Sequence, residues 1–587
     1  MMMKFCTTVL VLALIATGDL GVSASSSLRS LSTDQQQHGR HLSYELIAYY
    51  EPKSQVTDHN AIDLDQEAME NSLYKNTDQS FQIARDIYTN GAHSKSVAEI
   101  TLTTPLTKAI KKGASVTGKN SDGALVVGKV YDDYATGSSA IGVQYKVINI
   151  QKNYMNCQVG GLQSPNLQGC LAASGLLNVD GIDGDLSYSY DPTTKNVNKR
   201  TIQGFSTSAE EKMYRCENCP YNTYRKFRDY YGFFDYADKW INAAFDGTST
   251  AFSNGNGNFA SYGFAGRTEA IKKATAYMSI WMYVIREMED ALDDCNEGCK
   301  VEGCNDDPVH AWDEAVAFYT GSLEGGDGAG DGKLLYALAD KRCKDFRTCG
   351  DMAKESKGTA HTNGIIMQSF NIGSNLLIQG KCAQAKPYKE IIERMMVVPL
   401  IQGTLRYAYI LCAQLGKALT GKDLEKAEAE GAVFAASVLP LVHACDEDAA
   451  TTIYNMMRTG QSGPHDYSVV KSAFESVYEC MGVRNADVGG LWSDETGSYL
   501  AGAAPLKVAS SSGEPNIGLI VGCVVAGIVG GIILYFIVSK LCKLCCGSSS
   551  PKEAASAGDI SKPDKNEEGA LPAAEIINSD GEAVQIS

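Results

Sequence analysis

The run IGLIVGCVVAGIVGGIILYFIV, residues 517–538, constrains this chain more than any other stretch. Its twenty-two residues carry no charge. At 1.5 Å per residue they rise about 33 Å as a helix, enough to cross a hydrocarbon layer of roughly 30 Å. Lys540 and Lys543 follow at once and fit the cytoplasmic side of a bilayer. The chain opens on MMMKFCTTVLVLALIATGDLGVSA, a lysine before an apolar run that closes on Val22-Ser23-Ala24. That is the pattern of a secretory signal peptide over residues 1–24. The expectation is a single-pass type I protein of the plasma membrane: a large extracellular part, one transmembrane helix at 517–538 and a cytoplasmic tail at 539–587.

Cysteine placement agrees with that topology. Of the eighteen cysteines, thirteen fall between Cys157 and Cys480, and three stand just past the apolar run at Cys542, Cys545 and Cys546. The first set reads as disulfides of an oxidising compartment, with an odd thiol left free or paired with another chain. The second reads as acylation sites beside a membrane helix. Cys216-x-x-Cys219 has no second pair at zinc-finger spacing and reads as a disulfide. No N-x-[ST] acceptor lies in the ectodomain. A formal charge of -17 argues against a nucleic-acid binder, which would need a basic face, and is compatible with cation capture.

Patterning divides the ectodomain. Residues 25–43 are polar and expected to be disordered, and 507–516 form a stalk. Residues 44–205 read as a helix-plus-strands region. Its helical pattern runs from about 65 to 98, IGVQYKVINI at 141–150 is β-branched, and LSYSYDPTTKNVNKRTIQGF at 186–205 suggests a hairpin turning at Asp191-Pro192. Helical periodicity then dominates, over 267–295, 361–380, 387–416, 422–444 and 465–481. Asn254–Asn258 and GGDGAGDG at 325–332 read as loops. A faint repeat pairs the helix near Tyr236 with that near Tyr388, and His310 with His465. The fold class is therefore mainly α with an inserted β-hairpin region (α+β). It comprises two repeated helical-bundle-like lobes, 206–350 and 351–506, in a disulfide-rich ectodomain.

The chemistry concentrates in HAWDEAVAFYTGSLEG, 310–325. Asp306-Asp307-Pro308 starts a helix with acidic residues and a proline in the first turn. On that helix His310 precedes Asp313 by three and Glu314 by four, so all three share one side. A histidine and carboxylates converging from bundle helices are a way to hold a metal ion. Tyr283 and Glu287, with Asp290 or Asp294, are the candidates on a facing helix. Oxygen donors with an imidazole suit a hard or borderline ion such as iron. The ordinary alternative is a helix whose histidine makes hydrogen bonds and whose acids face water. His361 and His443 read as structural, although the acids at 446–448 keep a second-lobe site open. The H-E-x-x-H, G-x-x-x-x-G-K-[ST] and G-x-S-x-G motifs are absent.

HAWDEAVAFYTGSLEG, set in a cysteine-rich helical ectodomain with signal peptide, stalk, membrane helix and acidic tail, resembles the algal phytotransferrins, low-iron-inducible iron-assimilation proteins. The resemblance covers most of 45–505. It implies a cell-surface receptor that binds ferric iron, Fe(3+), with carbonate as synergistic anion, and is not an enzyme. Endocytosis and acid release follow, with endocytic machinery and a cell-surface ferric reductase as partners. The carbonate would need a cationic or helix-N-terminal pocket, at Asp307-Pro308 or Arg267. A fainter likeness to imelysin-type iron-uptake proteins rests on a His-x-x-Glu pair, where this chain has Asp313 followed by Glu314. The competing readings are an adhesion or interaction scaffold without a metal site and a metal-dependent hydrolase.

Overall fold

The computed structural model describes residues 45–145, 171–297, 308–412, 419–460 and 465–506, except 55, 95, 121–122, 173, 180–185, 191–194 and 199, together with 575–577 and 583–585. The proposed signal peptide, N-terminal tail, stalk, apolar run 517–538 and juxtamembrane cysteines lie outside them. Among the described residues no helix is long and apolar enough to cross a membrane.

The architecture is helix-rich with one large sheet. Helices α1 (Thr57–Asn60), α2 (Ile62–Leu73) and α3 (Asp78–Asn90) come first. The helical pattern expected from about 65 to 98 forms two helices and ends at Asn90, because Thr77 caps a new one: its side chain accepts from the Ser80 N–H, and the Ser80 hydroxyl answers the Thr77 N–H. Seven strands follow: β1 (Ser96–Thr101), β2 (Ser115–Lys119), β3 (Leu125–Val130), β4 (Ala140–Tyr145), β5 (Gly175–Val179), β6 (Leu186–Tyr190) and β7 (Lys195–Asn198). They form one antiparallel sheet in the order β6-β5-β2-β3-β4-β1-β7. Just beyond β1, Leu102 bridges Tyr190 of β6, and the Thr103 N–H donates to the Ser189 carbonyl at 2.9 Å. The sheet thus curls until its far strand returns to its near one. Its alternating inward residues, among them Ile100, Val116, Val126, Ile141, Leu177 and Tyr188, make a core of their own.

This corrects the hairpin expected at 186–205. β6 and β7 are both strands, but Tyr188 pairs with Leu177 on β5, whereas Val197 pairs with Val97 on β1. Alternation predicts that a segment is extended; which edge it joins depends on the closure of the whole sheet.

The rest is helical: α4 (Ile202–Thr207), α5 (Asn222–Tyr231), α6 (Tyr236–Asp246), α7 (Phe264–Ala274), α8 (Trp281–Glu297), α9 (Pro308–Thr320), α10 (Leu335–Phe346), α11 (His361–Ile378), α12 (Cys382–Leu411), α13 (Gly421–Ala436), α14 (Leu439–His443), α15 (Glu447–Met457), α16 (Tyr467–Glu475), α17 (Tyr478–Met481) and α18 (Asn485–Val488). A π-type turn over Thr275–Ile280 joins α7 to α8, so the long helix expected at 267–295 is present as one path. Helix α13 stops short of the expected 444, and Pro440 starts the short α14 after a break. One apolar core, from Ile47 to Ala503, runs through both helical regions. Within it α8 packs on α9, and α7 packs on α13.

Disulfides join Cys216–Cys219, Cys295–Cys382, Cys343–Cys349 and Cys445–Cys480, and Cys412 is free and buried. Cys157, Cys170, Cys299 and Cys304 lie outside the described residues.

The N-terminal segment wraps the stretch that ends in TGSLEG. The Ala48 and Tyr49 N–H groups donate to the carbonyls of Gly325 and Gly326, at 3.0 and 2.7 Å. Asp63 on α2 accepts from the Ser322 hydroxyl at 2.7 Å and the Leu323 N–H at 2.6 Å. Gly321 sits at φ 81, ψ 162, a region essentially reserved for glycine. A Cβ there would fall 2.5 Å from an Asp63 carboxylate oxygen. Gly321→Ala should therefore cost roughly 2–5 kcal/mol, strain plus overpacking, read by denaturant unfolding. Burial pushes the Asp63 carboxyl up to about 6, against the pull of those hydrogen bonds. The folded chain then holds this proton more tightly than the unfolded one. The contribution is present below the ordinary aspartate range and is lost as pH rises through about 6. Asp63→Asn should flatten that part of the stability–pH profile.

Candidate metal centre

Helix α9 carries the expected residues, and its first described residue is Pro308, the position that suits proline. Its turns present His310, Asp313 and Glu314 towards the N-terminal segment, but the three do different things.

His310 and Glu314 come together. The His310 Nε2 lies 2.9 Å from Glu314 Oε1. The third member is His59 of α1, whose Nε2 lies 2.5 Å from the same oxygen. His59, His310 and Glu314 offer three donor atoms within 4.8 Å of one another, the only such group among the described residues. The two rings meet edge to face, 5.6 Å between centroids, with Phe318 against His59. The His59 and Glu314 side chains are 6% and 14% exposed and His310 27%, so the cluster opens towards solvent on the His310 side.

Each imidazole has a polar group behind it, a hydrogen-bonding one for His310 and a nearby carboxylate for His59. Asp58 Oδ1 lies 3.2 Å from His59 Nδ1, and Arg200 pairs with the other Asp58 oxygen at 3.3 Å. Ser54 Oγ lies 2.9 Å from His310 Nδ1 and donates its own proton to Asp313 Oδ2 at 2.8 Å. That oxygen serves as the acceptor for Ser54, so Ser54 Oγ can only accept from His310. Nδ1–H then donates to Ser54 and Nε2–H to Glu314 Oε1, so a cation would have to displace the Nε2 proton to reach that nitrogen. Carboxylates behind both rings orient them as partners of metal-bound histidines do elsewhere.

Asp313 is accordingly not a member of the donor cluster. It is fully buried. It accepts from the Tyr50 hydroxyl, the Lys53 N–H, the Ser54 N–H and the Ser54 hydroxyl. With its oxygens occupied, it fixes the 50–54 segment and, through Ser54, the His310 ring.

Helix α8 faces α9, as the spacing predicts, but its candidates lie beside the cluster. Glu287 is 1% exposed and contacts Arg286, which also reaches Asp290 at 2.9 Å. Burial raises the Glu287 pKa well above the carboxylate range; Arg286 pulls it back, and the Glu314 charge adds to the rise. The Tyr283 hydroxyl accepts from Lys212 at 2.8 Å, and its ring stacks on Phe205 at 4.2 Å. Arg267, offered for the anion, donates instead to the carbonyls of Ala244 and Phe245. Asp307 lies outside the described residues. His465 is spent on the Met456 carbonyl at 2.8 Å.

His59 escaped the sequence reading because nothing local marks it. It follows an acid in a four-residue helix, and its neighbour Ser54 is 256 residues from His310.

The electrostatics of the trio are coherent. Burial disfavours charge on His310, but the hydrogen bond and charge of Glu314, then Asp58 and Asp313, outweigh it and raise its pKa. Burial would raise Glu314, yet His59 and His310 together hold it well below the carboxylate range. The cluster thus offers one carboxylate and two imidazoles in a partly dry site, the donor composition of borderline metal ions. Comparison with known protein families, curated proteins and solved structures finds no match to this chain.

Two outcomes test this geometry. Glu314→Gln should bring the His310 pKa down towards the ordinary histidine range, read by proton NMR titration. Asp313→Ala should cost roughly 3 kcal/mol or more, because it strands buried donors at about 1–3 kcal/mol each.

Proposed function

We propose that this chain is a cell-surface receptor that captures ferric iron at His59, His310 and Glu314. The observation that carries the reading is the convergence of both Nε2 atoms on one Glu314 oxygen, with Ser54 at the His310 Nδ1 and the Asp58 carboxylate beside the His59 Nδ1. That donor set fits iron without requiring it. The resemblance of HAWDEAVAFYTGSLEG to the phytotransferrins is what selects ferric iron as the cargo. Tyr283 and Glu287 belong to this reading as neighbours that would join the coordination only by leaving Lys212 and Arg286. Synergistic carbonate would sit nearest the cations around the cluster, Arg200 and Arg286, rather than at Arg267. The two helical lobes are then unequal: the first carries the α9 donors, and the second, with His465 held by a carbonyl, supplies scaffold.

Within this proposal the chain binds and does not turn over substrate. It stands in the plasma membrane through the 517–538 helix and enters endocytic vesicles with its cargo. There it meets the endocytic machinery, after or beside a surface ferric reductase. Protons compete with metal for imidazole nitrogens, so affinity falls as vesicles acidify.

The test is titration of ferric iron into the protein at pH 8, with and without bicarbonate. Saturable binding that is lost in His59→Ala and in His310→Ala, and lost again on acidification to pH 5, supports the proposal. Asp58→Ala, which removes the carboxylate beside the far nitrogen of His59 and the partner of Arg200 but no donor of the cluster, should weaken binding roughly 10–100-fold. A phenolate-to-iron absorption band would bring Tyr283 into the coordination, and binding without it leaves histidine and carboxylate alone. No saturable binding in either buffer would return the chain to the reading of an adhesion or interaction scaffold.

A further inference from the structure

A second polar feature lies apart from the metal centre and shares no residue with it. It is a cavity of about 510 Å³ where α2, α7, α10 and α13 converge. That volume is in the range of small-molecule sites. Five lysines line it: Lys272, Lys273, Lys333, Lys341 and Lys426.

The acids nearby do not neutralise all five. Glu269 takes Lys272 at 3.4 Å and Lys273 at 3.8 Å, while Glu430 takes Lys273 at 3.5 Å. Lys333 reaches Glu67 only at 3.8 Å. Glu70, the other acid of the wall, accepts from the Gln66 amide at 2.8 Å. Lys341 and Lys426 have no ion pair among the described residues. The Tyr277 side chain also lines the cavity, is 7% exposed, stacks on Phe434 at 5.4 Å and makes no hydrogen bond through its hydroxyl among the described residues. Tyr277 thus turns a phenol without a protein hydrogen bond towards a cavity edged by two ammonium groups that make no ion pair among the described residues.

We propose that this cavity binds a small anion bearing two or more negative charges, carried on carboxylate or phosphate groups. Lys341 and Lys426 supply the charge, and Tyr277 donates its hydroxyl from the floor. Lysines act as compact point charges without the planar fork of arginine, so they suit a tetrahedral or branched anion whose groups point in several directions. The field in the cavity agrees. Lys341 keeps much of its surface exposed, yet crowding by protein atoms and then the charges of Lys273 and Arg342 push its ammonium down to about 8. A bound anion would relieve that repulsion. The inference stands whether or not the metal centre takes iron.

The experiment is calorimetric titration of the full-length protein in detergent with citrate, pyrophosphate and, as a monovalent control, acetate. Citrate or pyrophosphate should bind saturably at one site, and acetate should not. Binding of citrate alone assigns the cavity to an oligocarboxylate, and binding of pyrophosphate alone to a phosphate compound. Lys341→Gln with Lys426→Gln should weaken binding about tenfold or more, since each charge-assisted bond is among the stronger kinds. Tyr277→Phe should weaken it several-fold with unchanged ferric binding. Both lysines lie at the rim, so thermal unfolding of the double variant should match the parent. Absence of saturable binding to either anion, or equal binding by the double variant, would overturn the proposal.

Discussion

The Asp313 carboxylate is the interaction on which the site depends. Burying a charge is costly unless each lone pair finds a donor. Asp313 meets that condition with two backbone N–H groups and two hydroxyls, all from the segment 50–54. One residue of α9 therefore decides where the chain some 260 positions earlier must lie. Once that segment is in place, Ser54 stands behind His310, α1 begins at Thr57, and His59 arrives opposite Glu314. Further along, Asp63 repeats the logic in the other direction, with a carboxylate of the N-terminal segment gripping Ser322 and Leu323. The N-terminal segment and α9 thus hold each other through paired buried acids.

Around that clamp several buried charges are matched. Arg200 answers Asp58, Arg286 answers Glu287 and Asp290, and Lys389 answers Glu289 and Glu393. The trio of His59, His310 and Glu314 differs, because three groups share two imidazole nitrogens and one oxygen. Such a group is satisfied by protons in one state and can be satisfied by a cation in another. The lysine-lined cavity differs in the opposite sense, with more positive charge than its walls neutralise.

Much of the helical framework was legible. The periodicity of 267–295, 361–380 and 387–416 predicts helices that the structure contains, and 422–444 fails only at its end, where Pro440 interrupts it. The disulfide Cys216–Cys219 and the helix beginning at Pro308 also follow from local spacing. The site was half legible. His310 and Glu314 share a helical face, so their meeting follows from a four-residue offset. Asp313 has the same local credentials and a different role, because its partners come from a distant segment. No local pattern reports His59, and none reports that β6 and β7 join opposite parts of a closed sheet.

The sequence by itself determined which segments coil, which cysteine pair is local, and that His310 and Glu314 share one helical face. These depend on interactions within a few residues, which periodicity and capping encode directly. Tertiary structure alone decided strand pairing, the burial of Asp313 and the identity of the third donor. Those outcomes follow from which surfaces must be covered at once, and from the cost of leaving a buried carboxylate without donors.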